Sequence, residues 1–279
     1  MRLWQVLVAI QLLVLLIPNG AQMFYYSGVL LWPQQITALY TKDSTRIGWL
    51  SCTIGSATAL GQIVAFAIVR WGGNVRYWLI FSALAMVGFI SSLAALTPST
   101  LNMGIAFTML GPFFVGFIEL ASLALAPLFC NASDIGLASG LLASIRSAGG
   151  SVAVAVYTTI LSNRLASTIP NNIGPVAVEA GLPSDEISAL SKAIRTGTWA
   201  KFPGLTPAIS QAVARVLPEA YSQAFKTVYL ASLGFGAIAI VGSLLSKDAK
   251  KHLTNKVERK MQTKKGVKAA SQKTEEQEV

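Results

Sequence analysis

Charge is scarce in this chain: 12% of its residues are charged, and inside its long apolar runs charge nearly vanishes. Histidine occurs once, at His252, and cysteine twice, at Cys52 and Cys130. A single histidine excludes a histidine-rich metal centre and a nucleophile–histidine triad. Two cysteines give no disulfide framework. Cys52 is expected near the outer end of the second helix and Cys130 at the inner end of the fourth, too far apart to bridge. No nucleophile–base set, metal-ligand spacing or phosphate loop occurs, so the sequence argues against an enzyme and implies no cofactor. Also missing is the apolar–polar alternation of a water-soluble core, with period 3.6 or 2.

What is present is apolar length. Six runs near or above 20 residues recur, at about 4–31, 46–69, 76–97, 102–128, 134–162 and 222–246, with charged residues between them. Each can cross a hydrocarbon core of about 30 Å at 1.5 Å per residue. Open-edged sheets cannot span lipid, and a barrel would show short alternating segments. The fold class is therefore an all-α membrane protein with six transmembrane helices. Its first partner is the lipid bilayer.

The net charge of +10 would suggest nucleic acid in a soluble chain. Here ten of the 22 Lys and Arg follow Ser246, so the excess sits in a basic tail, 247–279, and no nucleic-acid partner is expected. Such a tail reads as a cytoplasmic, disordered segment that touches anionic lipid or is simply solvated. Six spans then put the N-terminus inside too. Arg70 to Arg76 falls on the inner side, and 163–221 becomes an extracellular connection. Met1-Arg2 and the apolar run to Ile17 also fit a secretory signal peptide. Renewed apolar character in MFYYSGVLLW favours one span broken at Pro18-Asn19-Gly20.

The sharpest chemical signal is a pair of charges inside spans. Glu119 lies in the fourth run, roughly 12 Å from its inner end, and Arg146 in the fifth, roughly 18 Å in. A charge in a span usually faces the bundle interior and has a partner. The two depths differ by about one helical turn, so an ion pair or shared hydrogen-bond network is expected. Its role is either to lock the helices or to exchange a proton at Glu119, with Arg146 modulating the acid's pKa. Asn19, Gln22, Tyr25 and Tyr26 follow the break in the first run and suit a cavity wall, with Gln22 supplying a hydrogen bond. The tyrosines alternatively form an interfacial belt with Trp32. Gln62, in the second run, is a cavity residue or interhelical glue.

Small residues mark packing faces. Gly48, Cys52 and Ser56, then Gly55 and Ala59, recur at four-residue spacing in the second run. Gly136, Gly140, Ser144 and Ala148 do so in the fifth, which predicts a tight stripe. Gly111-Pro112 predicts a bend in the fourth run. The segment 163–221 carries two amphipathic patterns. One starts at a Ser184 cap, places Ile187, Leu190 and Ile194 on one face and ends at Gly197. The other starts at Thr206-Pro207 with Ile209, Val213 and Val216 inward. Together they are expected to pack over the extracellular mouth.

These runs resemble a known family. FYYSGVLLWPQQI, IGWLSCTIGSATALGQIVAFAIVRWGGNVRYWLI and ASDIGLASGLLASIRSAGGSVAVAVYTTIL are similar to the fungal trichothecene efflux pump and siderophore transporter group, within the fourteen-helix drug:proton antiporters. Gly61, Arg70, Gly72 and Arg76 resemble the loop motif of the major facilitators, although Val69 stands where its acidic member is expected. Arg146-x-x-Gly149-Gly150 resembles the family's glycine-rich late helix. The resemblance implies one half of a major facilitator fold. Its mate would be a missing N-terminal half or, in a homodimer, a second copy. It implies proton-coupled efflux of an amphipathic toxin, drug or secondary metabolite at the plasma or vacuolar membrane. Siderophore-iron uptake is the alternative within the same fold. A non-transporting six-helix partner of a full-length carrier is the rival outside it.

The inferred orientation places the sequon Asn131-Ala132-Ser133 in a cytoplasmic loop. Mass spectrometry of the secretory-pathway protein should find Asn131 without glycan; a glycosylated Asn131 would reverse the topology.

Overall fold

The computed structural model describes residues 2–71, 74–125, 135–199 and 202–245. Gly72, Cys130, Asn131 and the tail 247–279 lie outside them. The described chain is helical. Its elements are α1 (Arg2–Leu39), α2 (Ser44–Arg70), α3 (Val75–Ser92), α4 (Leu101–Leu125), α5 (Ile135–Glu179), α6 (Ile187–Arg195) and α7 (Pro207–Leu245). Single 3-10 turns follow α3 and precede α6. Among the described residues five helices, α2 to α5 and α7, are long and apolar enough to cross a membrane. At 38 residues, α1 is the remaining long helix.

The helices form an arc. α2 packs on α4, α4 on α3, α3 on α7 and α7 on α5, while α1 runs inside and touches α7, α5, α4 and α2. Among the described residues the arc does not close, for α5 lacks substantial packing against α2 or α4. The core along α1 holds Phe24, Leu31, Trp32 and Ile36 against Met86, Val115, Tyr157 and Tyr229. Association in lipid rests on dispersion contacts and backbone approach, since burial from lipid gains little. The α2–α4 seam shows this: a Cβ added at Gly61 would run into the Phe113 carbonyl, and one at Gly116 into the Thr58 carbonyl.

Several sequence expectations change here. α1 passes through 18–20 without a break. Gly20 instead lets α1 approach α7, where an added Cβ would lie 2.9 Å from the Ala239 nitrogen. Trp32 is no belt residue: it is fully buried, and its Nε1 donates to the Leu50 carbonyl at 3.0 Å. Both predicted small-residue stripes face outward. Gly48, Cys52, Gly55, Ser56 and Ala59 are exposed, as are Gly136, Gly140, Ser144 and Ala148. Nothing lies within 4 Å of a Cβ built at Gly48, Gly55, Gly136 or Gly140. Residues at one helical spacing share a face whether or not anything packs on it.

The long connection is largely helical. α5 has 45 residues and α7 has 39, about 67 and 58 Å at 1.5 Å per residue, far more than a bilayer requires. Their surplus turns enclose α6 and form a cap with its own core: Ile169, Ile173, Leu190, Ile194, Ile209 and Val213. Ser184 makes no capping bond, and α6 begins after the 3-10 turn Ser184–Glu186. Gly197 ends the α6 segment at φ +73°. Thr206 Oγ1 accepts from Ile209 N at 3.3 Å and starts α7. That helix continues through Pro218 into the last span, so the second amphipathic pattern is not a separate helix. Likewise α4 remains one helix across Pro112.

Close approach therefore belongs to Gly61 and Gly116 and not to the outward stripes. Gly116→Ala should cost about 1–3 kcal/mol by overpacking. Gly55→Ala should leave thermal unfolding in detergent unchanged or raised. Equal melting temperatures for the two variants would refute this account of the seam.

Candidate functional site

Four helices each send one polar side chain to a common place. Glu119 of α4 pairs with Arg146 of α5 through Oε1 and Nη2. Gln62 of α2 donates from Nε2 to Glu119 Oε2 at 3.0 Å. Arg146 Nη2 also donates to Gln22 Oε1 of α1 at 3.1 Å. The order is Gln62, Glu119, Arg146, Gln22, a continuous chain from α2 to α5. Both carboxylate oxygens have a donor, which a charge removed from water requires.

The network occupies the opening of the arc. α4 and α5 do not pack substantially on each other, so the ion pair crosses from one to the other beside α1. Their charged side chains keep 16% exposure at Glu119 and 20% at Arg146, so the pair is accessible and not sealed in the core. Two polar atoms remain without partners: Asn19 Oδ1, an acceptor, and Arg146 Nε, a donor. Asn19 lies against Gly149, where an added Cβ would meet its Oδ1. Both atoms are buried, so each carries an unmet hydrogen-bonding cost beside the ion pair.

One helical turn along α1, the aromatic residues adjoin the network. Tyr25 and Tyr26 are half-buried, with ring centroids 6.2 Å apart and planes at 65°. Thr58 Oγ1 lies 3.4 Å from the Tyr25 hydroxyl. Tyr26 packs on Gly150, where a Cβ would lie within the ring's van der Waals envelope. Thus Gly149 and Gly150 bring α5 against the face of α1 that carries Asn19 and Tyr26.

Among the described residues, the loop-motif members Gly61, Arg70 and Arg76 stand at separate places. Gly61 is a packing contact with α4, about 14 Å along α2 from its end by helical rise. Arg70 is exposed in the last turn of α2. Arg76 donates from Nη2 to the Leu244 carbonyl at 3.1 Å, supplying a partner to the unsatisfied end of α7. Gly72 is not among the described residues. Sequence reasoning missed two buried bonds that fix the walls. Tyr229 donates to Gln35 Oε1 at 3.1 Å, and Tyr157 to the Met23 carbonyl at 3.0 Å. Polar residues within apolar runs were the available signal, but their partners lie 194 and 134 positions away.

An arc of long apolar helices around a central one, with an acid–base pair in its opening, defines a helical lobe of the major facilitator class. Residues 8–277 match the model of the family described as fungal trichothecene efflux pump (TRI12), and the chain belongs to that family. It is 32% identical over 240 residues to the MFS-type transporter prx5 of Penicillium rubens, covering 84% of this chain and 43% of that protein. It is 22% identical over 250 residues to the trichothecene efflux pump TRI12 of Fusarium sporotrichioides, covering 88% and 42%. The corresponding pump of Trichoderma arundinaceum is 22% identical over 238 residues, covering 82% and 40%. The chain thus spans about two-fifths of the length of these curated relatives. No solved structure matches it.

If the ion pair ties α4 to α5, Glu119→Gln and Arg146→Gln should each lower the melting temperature. The double variant should be less destabilised than the sum, with a coupling of about 0.5–3 kcal/mol. Strict additivity would mean that the contact holds nothing together.

Proposed function

We propose that this chain is one lobe of a two-lobed carrier that exports an amphipathic organic compound across the plasma membrane in exchange for protons. The observation that carries the reading is the accessible Glu119–Arg146 pair in the opening of the arc. A charged pair in a span is costly, and its partial exposure is unnecessary for a purely structural clamp. Protonation of Glu119 would remove its charge and release Arg146 toward Gln22 and the substrate. The half-buried Tyr25 and Tyr26 would meet the substrate's apolar body.

The second lobe would seat on the outward small-residue faces of α2 and α5, which flank the opening and suit close helix approach. A longer native product supplies that lobe in this reading; a second copy is the less economical source. Relatives named as trichothecene efflux pumps favour export of a toxin or secondary metabolite over siderophore uptake. The tail would face the cytoplasm, in keeping with its lysines.

The decisive measurement is transport by the native gene product in sealed vesicles across pH, at matched membrane abundance. Glu119→Gln should abolish accumulation driven by a proton gradient while substrate still binds. Wild-type, pH-dependent accumulation by that variant would remove Glu119 from proton coupling.

A further inference from the structure

A second concave region lies at the cap end, separate from the Glu119–Arg146 network. From Arg146 to Ser162 along α5 is about 24 Å. One cavity, of about 620 Å³, lies between α1, α5 and α6 and includes Leu161, Ser162, Lys192 and Arg195 in its walls. A second, of about 540 Å³, adjoins the α1–α2 turn and includes Lys42, Ile47, Trp199 and Tyr221. Gln34, Leu165 and Arg195 belong to both, so the two volumes meet at the Arg195 side chain. Each is the size of an ordinary small-molecule pocket.

The charges here have one sign. Lys42, Lys192 and Arg195 line the cavities, and no Asp or Glu does. Among the described residues none of the three makes an ion pair. Lys192 and Arg195 stand three residues apart on α6, on one face. Arg195 Nη2 donates to Ser162 Oγ at 3.3 Å, a bond that holds the guanidinium at the α5 wall of the first cavity. Lys42 Nζ lies 6.0 Å from the Trp199 ring centroid, an orientation that brings the ammonium and the indole to the same mouth. The remaining surface is mostly apolar, from Leu161, Leu165, Ile47, Leu217 and Tyr221. Unpaired cations beside an apolar floor complement one ligand chemistry: an acidic group on an apolar body.

We propose that the cap cavities form a binding site for an amphipathic organic anion, whose carboxylate, sulfonate or phosphate sits between Lys192 and Arg195 and whose apolar body lies toward Leu165 and Trp199. The same chemistry is offered by a free organic anion and by an anionic lipid headgroup with its chains. The site does not depend on transport, so its failure would leave the role of Glu119 untouched, and the converse holds.

The test is equilibrium binding of 1-pyrenesulfonate to the 279-residue chain in phosphatidylcholine nanodiscs, read by energy transfer from tryptophan with empty discs subtracted. Binding should be saturable and should weaken as salt rises. Lys192→Gln combined with Arg195→Gln should weaken it about tenfold, while Arg195→Lys should change it less than about threefold. The neutral analogue 1-pyrenemethanol should not respond to the double substitution. Competition by phosphatidylglycerol in the discs would identify a lipid headgroup as the natural occupant; its absence would point to a free anion. Unchanged pyrenesulfonate affinity in the double variant, with helical content retained by circular dichroism, would overturn the proposal. An equal loss for the neutral probe would overturn it too.

Discussion

The lobe is governed by the cost of placing one carboxylate and one guanidinium where water is scarce. Neither charge is tolerable alone in a span, so each must find the other with its remaining hydrogen bonds filled. Glu119 obtains this from Arg146 and Gln62, and Arg146 obtains it in part, Nη2 meeting Glu119 and Gln22 while Nε stays unfilled. Four helices must hold their register for that to happen. The register is set elsewhere, by backbone contacts that allow no side chain. Gly61 and Gly116 fix α2 on α4, Gly20 fixes α1 on α7, and Gly149 and Gly150 fix α5 on α1. The polar chain and the glycine contacts thus work together: the glycines seat α2 on α4 and α5 on α1, and the long Glu119 and Arg146 side chains span the remaining distance between α4 and α5.

This explains what the sequence made legible. A lone acid and a lone base, each in an apolar run and at similar depth, have few partners to choose from. Their meeting followed from helical rise and electrostatic cost alone. Gln22 and Gln62 were recognisable as polar residues in apolar runs, though not as the two ends of the same network. Fold class was equally plain, because runs of that length and composition have few alternatives.

What was not legible concerns faces and ends. Four-residue spacing of small residues says that a helix has a smooth side, but the same spacing arises on a packed side and on an open one. In α2 and α5 the smooth sides are open, and the packing falls to Gly61 and to Gly149 and Gly150. Pro18 followed two residues later by Gly20 invites a break, yet glycine is also what close helix contact needs, and here the contact wins. The amphipathic pattern that starts at Thr206-Pro207 runs on through Pro218, because α7 is one continuous helix whose buried residues keep their phase from Ile209 and Val213 to Ala220 and Ala224. Aromatic residues near a run's end suggest an interface, whereas Trp32 is buried because its indole N–H finds the Leu50 carbonyl.

The unusual length of α5 joins the two concave regions mechanically. It is one helix from Ile135 to Glu179, so Arg146 and the cap residues Ile169 and Ile173 lie on a common rod, about 35 Å apart for Arg146 and Ile169. That rod is held at three heights by unlike forces. At Arg146 it is tied to α4 by charge, from Gly149 to Tyr157 to α1 by close packing and a part-buried hydrogen bond to Met23, and at Ile169 and Ile173 to α6 and α7 by apolar packing. Of these only the first responds to protonation. The other two lie farther along the helix and contain no ionisable partner at neutral pH, since a tyrosine hydroxyl and aliphatic side chains keep their state. The tie between α5 and α4 is thus electrostatic, whereas the seat of α5 on α1, from Gly149 to Tyr157, and its place in the cap rest on contacts between uncharged groups.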